Sequence, residues 1–234
     1  MPGGADAATA LRALPVERLL SAYGQLAGQL ARPGNAAPPM HPVLGGPGLP
    51  RDLHGALADG GLEGKPLLIG TTRDEATAFT AFDPHIQNLG VDGALDLLAA
   101  QLGEPAHELY ARYAARFEEP TAARVFTDDL FRADSLRIAD HHAAGGNATY
   151  VYEFDYRPAE DPYGLGATHC GELPFLFGTF DAFAGSPMLG RPTVAARALG
   201  HTFATAAAEF VARGSVHGWL PYTPGTAARV RHFG

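Results

Sequence analysis

The chain has 234 residues, 46% hydrophobic and 18% charged, a composition that excludes general disorder and suits one domain or one large piece of a bigger one. Its net charge is −8 at pH 7, the sequence pI is about 5.6, and Lys65 is the single lysine. Without clustered cations to neutralise phosphates, neither a nucleic-acid partner nor an anionic-membrane surface is expected.

The first predicted element covers residues 7–31, where Leu19, Leu20, Tyr23, Leu26 and Leu30 recur at helical spacing, with Leu11 and Leu14 upstream of Pro15. Pro33 and Gly34 close it, and residues 33–51, rich in Pro and Gly, read as an irregular loop. After a short helix over 52–59 comes Pro66-Leu67-Leu68-Ile69-Gly70, an apolar run ending in glycine, the pattern of a buried strand in a parallel sheet. Residues 73–116 are helical in pattern, broken near Asp83-Pro84 and Glu104-Pro105, and 121–144 form a long helical stretch. Gly145-Gly146-Asn147 end that stretch, and Thr149 to Tyr156, rich in β-formers, is the second strand. A loop to about residue 170, a turn region rich in Gly, Pro and Phe to 189, and a helix over roughly 192–212 follow. Trp219-Leu220-Pro221-Tyr222 and a short tail complete the sequence.

Strand, helices, strand within one unit points to an α/β fold with a parallel sheet. Two strands are few for a self-sufficient α/β domain, whose sheet has about five. The expected fold class is therefore α/β with an incomplete, mostly parallel sheet and flanking helices. Cys170 is the only cysteine, which excludes an intrachain disulfide and a thiolate metal cluster and fits a reducing compartment. The N-terminal stretch lacks the basic and continuously apolar regions of a secretory signal, and no window approaches the about 18 apolar residues of a membrane span. A cytoplasmic location is expected, with no membrane, metal or cofactor.

Two stretches could carry chemistry. In Ile69-Gly70-Thr71-Thr72-Arg73-Asp74-Glu75-Ala76 an acidic pair lies just past the carboxyl end of a buried strand, where catalytic groups gather in open α/β sheets. The same residues also fit a plain helix start, with Thr71 or Thr72 as cap and the acids favoured by the helix dipole. In Gly166-Ala167-Thr168-His169-Cys170-Gly171-Glu172-Leu173-Pro174-Phe175-Leu176-Phe177-Gly178 a histidine sits in a loop of small residues after the second strand. An imidazole there is placed to act as a base near neutral pH, although ten histidines make a merely solvated one common. The acid follows one strand and the histidine the next, the chain order of an α/β-hydrolase triad after its serine.

The first stretch resembles the acid-bearing motif of type-B carboxylesterases and cholinesterases, in which the glutamate of the Asp-Glu pair is the triad acid. The second is similar to the same family's histidine motif. The resemblance runs from about residue 10 to the end, with Tyr150 to Phe154 as the strand before the histidine loop and Trp219 to Tyr222 near the end. It implies an α/β-hydrolase fold, Glu75 as triad acid, His169 as triad base, and a small-molecule carboxylic ester as substrate.

The sequence departs from the family at Ala76 and Cys170, where glycine is usual, and Cys170 reads as tolerated rather than reactive. Glu172 is expected to be structural, bonding loop amides or a neighbouring histidine. No G-x-S-x-G occurs, Ser186 and Ser215 do not follow strands, and the Gly-rich loop that would supply oxyanion amides is missing. Residues 1–234 are thus expected to form the C-terminal part of a carboxylesterase domain, inactive alone and prone to self-association, with the family's last strand and helix lying beyond Gly234. Two other readings are a non-catalytic binding module of the same fold and an unrelated α/β enzyme using Cys170 with His169. Retention of both Glu75 and His169 favours the carboxylesterase fragment over the non-catalytic module.

Overall fold

The computed structural model describes residues 4–30, 39–46, 48–87, 89, 91–102, 105–115, 122–226 and 229–234. Pro33 and Gly34, much of the predicted loop after them, Glu104, and residues 116 and 121 at the ends of two predicted helical stretches lie outside that set. Two compact units emerge, a smaller one ending at Pro50 and a larger one, Arg51–Gly234. In the smaller, helices α1 (Gly4–Arg12) and α2 (Val16–Leu30) are separated around Pro15, which has no amide hydrogen to continue a helix.

The larger unit opens with α3 (Leu53–Ala58), capped where the Asp52 carboxylate accepts the Gly55 amide at 2.7 Å. Strand β1 (Leu67–Thr72) follows, then four short helices: α4 (Thr77–Thr80), α5 (Pro84–Gln87), α6 (Val91–Leu102) and α7 (Ala106–Ala114). Thr71 and Thr72 belong to β1 and cap no helix, so the plain helix-start reading of the acidic pair does not hold. Helix α8 (Ala122–Thr127) passes through a π-helical turn, Asp128–Arg132, into α9 (Ala133–Ala144), where the sequence pattern predicts uninterrupted helix. After β2 (Thr149–Phe154) come α10 (Leu173–Phe177), a 3₁₀ turn (Phe180–Phe183), α11 (Val194–Arg213) and β3 (Val230–Phe233).

The three strands form one parallel sheet in the order β1-β2-β3, with Ile69 opposite Val151 and Val151 opposite Val230. One face packs Tyr150 and Phe154 against Phe175 of α10 and Phe203 of α11. The other sets Val151, with Ile69 and Val230 beside it, on Ala139 of α9. Strand period and helix packing thus give the three layers of an α/β fold.

Strand β3 corrects the expectation of two strands. Its pattern is masked in the sequence because Arg231 occupies the apolar face. The guanidinium lies over the rings of Trp219 and Phe233, 5.4 and 5.3 Å from their centroids. A cation that covers aromatic rings breaks the alternation by which a half-buried strand is recognised.

Candidate active site

Both loops that matter leave the carboxyl ends of adjacent parallel strands. The turn after β1 carries Glu75, which is 6% exposed, and Ala76, whose amide donates to Thr127 Oγ1 at 2.9 Å. The loop after β2 is buried over Leu165 to Thr168, so its backbone groups need protein partners. The Asp161 carboxylate supplies two, accepting the Leu165 and Gly166 amides at 2.8 and 2.7 Å. Thr77 supplies a third contact from α4: its hydroxyl lies 2.6 Å from Leu165 O and 2.8 Å from Thr168 Oγ1.

The loop delivers His169 to Glu75. His169 Nδ1 donates to Glu75 Oε2 at 2.7 Å across 94 residues of sequence. The carboxylate is almost wholly enclosed, 8% exposed, while the imidazole is 39% exposed. With Nδ1 committed to Glu75, the imidazole carries its lone pair on Nε2, for which the described residues give no partner. The ring is flanked by Phe79, 5.3 Å away centroid to centroid, and Phe131, 5.2 Å away. Phe131 comes from the π-helical turn, a feature that recurs at functional sites. Neither phenylalanine was singled out by sequence reasoning. The only signal was Phe79, four residues past Glu75.

The electrostatics raise the proton affinity of the imidazole. The hydrogen bond to Glu75 lifts the His169 pKa, burial opposes the lift, and the charges of Glu75 and Glu172 add to it. Glu172 is itself pushed up, by burial first and by Glu75 after it, although its own backbone and His169 pull the other way. Its Oε2 is buried with no hydrogen-bond partner among the described residues, while its own backbone amide bonds the carboxylate and its charge acts on His169 through space. Burial, then Glu172 and Glu75, also push the Tyr152 phenol up to about 12. The same influences push the Cys170 thiol up, opposite to what a reactive thiolate needs. Cys170 has φ = +63°, the left-handed conformation a glycine adopts freely.

Beyond the pair, Arg132 of the π turn reaches Asp128, Glu153 Oε2 at 3.1 Å and Arg73 O at 2.8 Å. Glu153, Asp155 and His232 bring their ligand-type atoms within 4.8 Å of one another. Arg132 on Glu153 and Arg73 on Asp155, the latter at 3.8 Å, give each carboxylate a protein cation, so this cluster neutralises itself. A groove of about 750 Å³, lined by Phe82, Tyr163 and Val194 among others, includes neither Glu75 nor His169.

A parallel sheet covered by helices, with an acid and a histidine joined at the carboxyl ends of neighbouring strands, is the arrangement of an α/β-hydrolase. The carboxylesterase family matches residues 2–229, and the chain belongs to it. Phenmedipham hydrolase of Pseudarthrobacter oxydans is 31% identical over 198 residues, 83% of this chain and 39% of that protein. Para-nitrobenzyl esterase of Bacillus subtilis is 37% identical over 144 residues, 60% of this chain and 28% of the relative. Among solved structures, a PNB esterase superposes with a TM-score of 0.71 at 27% identity, covering 96% of this chain and 45% of its own. The Geobacillus stearothermophilus carboxylesterase EST55 gives 0.70 at 29% identity, with 99% and 48% covered. The chain therefore spans less than half the length of these relatives.

Proposed function

We propose that this chain supplies the acid and base of a Ser-His-Glu triad to a carboxylic ester hydrolase acting on small-molecule esters. The observation that carries the reading is the 2.7 Å bond from His169 Nδ1 to Glu75 Oε2, on a half-exposed ring whose Nε2 has no partner among the described residues. Membership of the carboxylesterase family and the likeness to phenmedipham hydrolase and para-nitrobenzyl esterase support the substrate class.

In this reading His169 Nε2 takes the proton of a serine hydroxyl as the serine oxygen attacks the ester carbonyl carbon. The positive charge that forms on the ring is stabilised by the Glu75 carboxylate, which stays ionised. His169 then returns the proton to the departing alkoxide as the carbon–oxygen bond of the ester breaks. Water, deprotonated by the same nitrogen, hydrolyses the acyl-serine. The 234 residues contain no G-x-S-x-G, so the serine and its oxyanion donors come from chain outside them.

The test has two arms. The purified chain is assayed with a chromogenic acetate ester and is expected to stay at buffer background. A chimera in which this chain replaces the matching part of the Bacillus subtilis para-nitrobenzyl esterase is expected to turn over, and His169→Ala in it to lower kcat by at least about 10³-fold. A folded chimera whose activity ignores His169→Ala overturns the assignment. Turnover by the chain alone would point to a nucleophile within it.

A further inference from the structure

We infer that Asp74 is a positioning residue for His169, gripping the backbone of the histidine loop while Glu75, next in sequence, grips the ring. The inference rests on the reading of His169 as base. Asp74 and Ala167 are joined twice: the Asp74 amide donates to Ala167 O at 2.9 Å, and the Ala167 amide donates to Asp74 Oδ2, also at 2.9 Å. Ala167 is 1% exposed and two residues before His169, so this paired contact sets where the imidazole begins. Consecutive residues of one turn thereby hold alternate residues of the other loop, one by its main chain and one by its side chain.

The carboxylate is itself held in place. Arg73 Nε lies 3.4 Å and Arg157 Nη2 3.7 Å from the same Oδ2. Gly166 leaves room for it. That residue has φ = +61°, and a methyl built there would sit inside contact distance of Asp74 Oδ2. Loop glycine and turn aspartate are therefore a fitted pair, the glycine directly preceding the residue whose amide the aspartate accepts.

A half-turn of freedom at Ala167 would let the ring drift from Glu75, and the distance between Nδ1 and Oε2 sets how strongly the imidazole binds a proton. The charged groups acting on His169 are Glu75 and Glu172, and substitutions at 74 or 166 leave both in place.

The experiment measures carbethoxylation of His169 across pH in the full chain, by peptide mass spectrometry, since only the neutral ring reacts. Asp74→Ala is expected to lower the midpoint by at least about half a pH unit, about threefold in rate below the midpoint. Gly166→Ala keeps the charge but displaces the carboxylate, and should shift it the same way. Asp74→Asn keeps an acceptor for the Ala167 amide and should stay within about 0.2 unit of wild type. An Asp74→Asn shift equal to that of Asp74→Ala would reduce the effect to lost charge and overturn the inference, as would an unmoved midpoint in Asp74→Ala. Circular dichroism reports folding, and if Asp74→Ala does not fold, Gly166→Ala decides. Glu75→Gln separates the two readings. A drop there with none in the Asp74 and Gly166 variants removes only the positioning role, whereas no drop in Glu75→Gln removes the acid–base pair itself.

Discussion

The Thr72 amide donates to Glu75 Oε1 at 2.8 Å, while the other oxygen of that carboxylate receives His169 Nδ1. Odd-numbered residues of β1 bond to β2, as Leu67 does through Ala148 O and Arg73, just past the strand, through Phe154 O. Thr72, between them in phase, faces away, and its amide is the one that holds the acid. The last outward donor of the strand thus anchors the carboxylate before the histidine arrives.

The pair should leave a pH signature on stability. Because Glu75 raises the His169 pKa above its ordinary value of about 6.5, the folded chain binds the proton more tightly than the unfolded chain. The stabilisation is complete below that ordinary value and is lost as pH rises through the raised one. Melting temperatures of wild type and Glu75→Gln should differ most near pH 6 and converge toward pH 9. A gap that widens with pH would contradict the assignment.

Glu172 should behave in the opposite sense to a stabilising carboxylate. Its pKa is raised, mainly by burial, so ionisation favours the unfolded chain and the cost accrues as pH rises above the ordinary carboxyl value of about 4.5. Glu172→Gln is expected to raise the melting temperature at pH 7, with the gain fading toward pH 4.5. Thermal melts at the two pH values check this.

Cys170 pays for its left-handed backbone. A non-glycine residue in that conformation loses about 1–2 kcal/mol, of which about 0.5–1 is recovered because glycine costs more to order. Cys170→Gly should therefore stabilise the chain by up to about 1 kcal/mol, and Cys170→Val should destabilise it by more than 1 kcal/mol. Urea titrations of the two variants decide, and equal effects would mean the thiol has a packing role that outweighs the backbone.

The outer edge of β1 makes self-association an expected outcome. Leu68 and Gly70 share the outward phase of Thr72, and their amides find no strand partner among the described residues. Leu67, Leu68 and Ile69, which the sequence marks as buried, are only half-buried. Open edges with apolar flanks pair with other chains. Sizing chromatography of the isolated chain should show oligomers or aggregate. A monomer melting in one cooperative step would mean that the chain folds autonomously.

Much of this was legible because it is written in short-range pattern. The apolar run ending at Gly70, the β-formers after Asn147 and the break at Asp83-Pro84 each follow from local chemistry, and the order of acid and histidine after successive strands brought Glu75 and His169 forward. What stayed hidden depends on distant partners. Arg231 lies on rings at Trp219 and Phe233, so its strand did not alternate. Phe131 meets His169 only because a π turn interrupts a helix whose periodicity gives no warning. The role of Asp74 needs Gly166, 92 positions away, to be seen at all.

The π turn at Asp128–Arg132 makes the site sensitive to residue count and not only to residue type. An α-helix advances about 100° per residue, so deleting one residue would allow the segment to close as ordinary helix while swinging the flanking side chains by about that angle. Phe131 would rotate off the imidazole and Arg132 off Glu153, with the strands themselves untouched. Single-residue deletions across 126–134 would then be tolerated by the sheet yet unequal at His169, a length-dependence that no substitution scan would reveal.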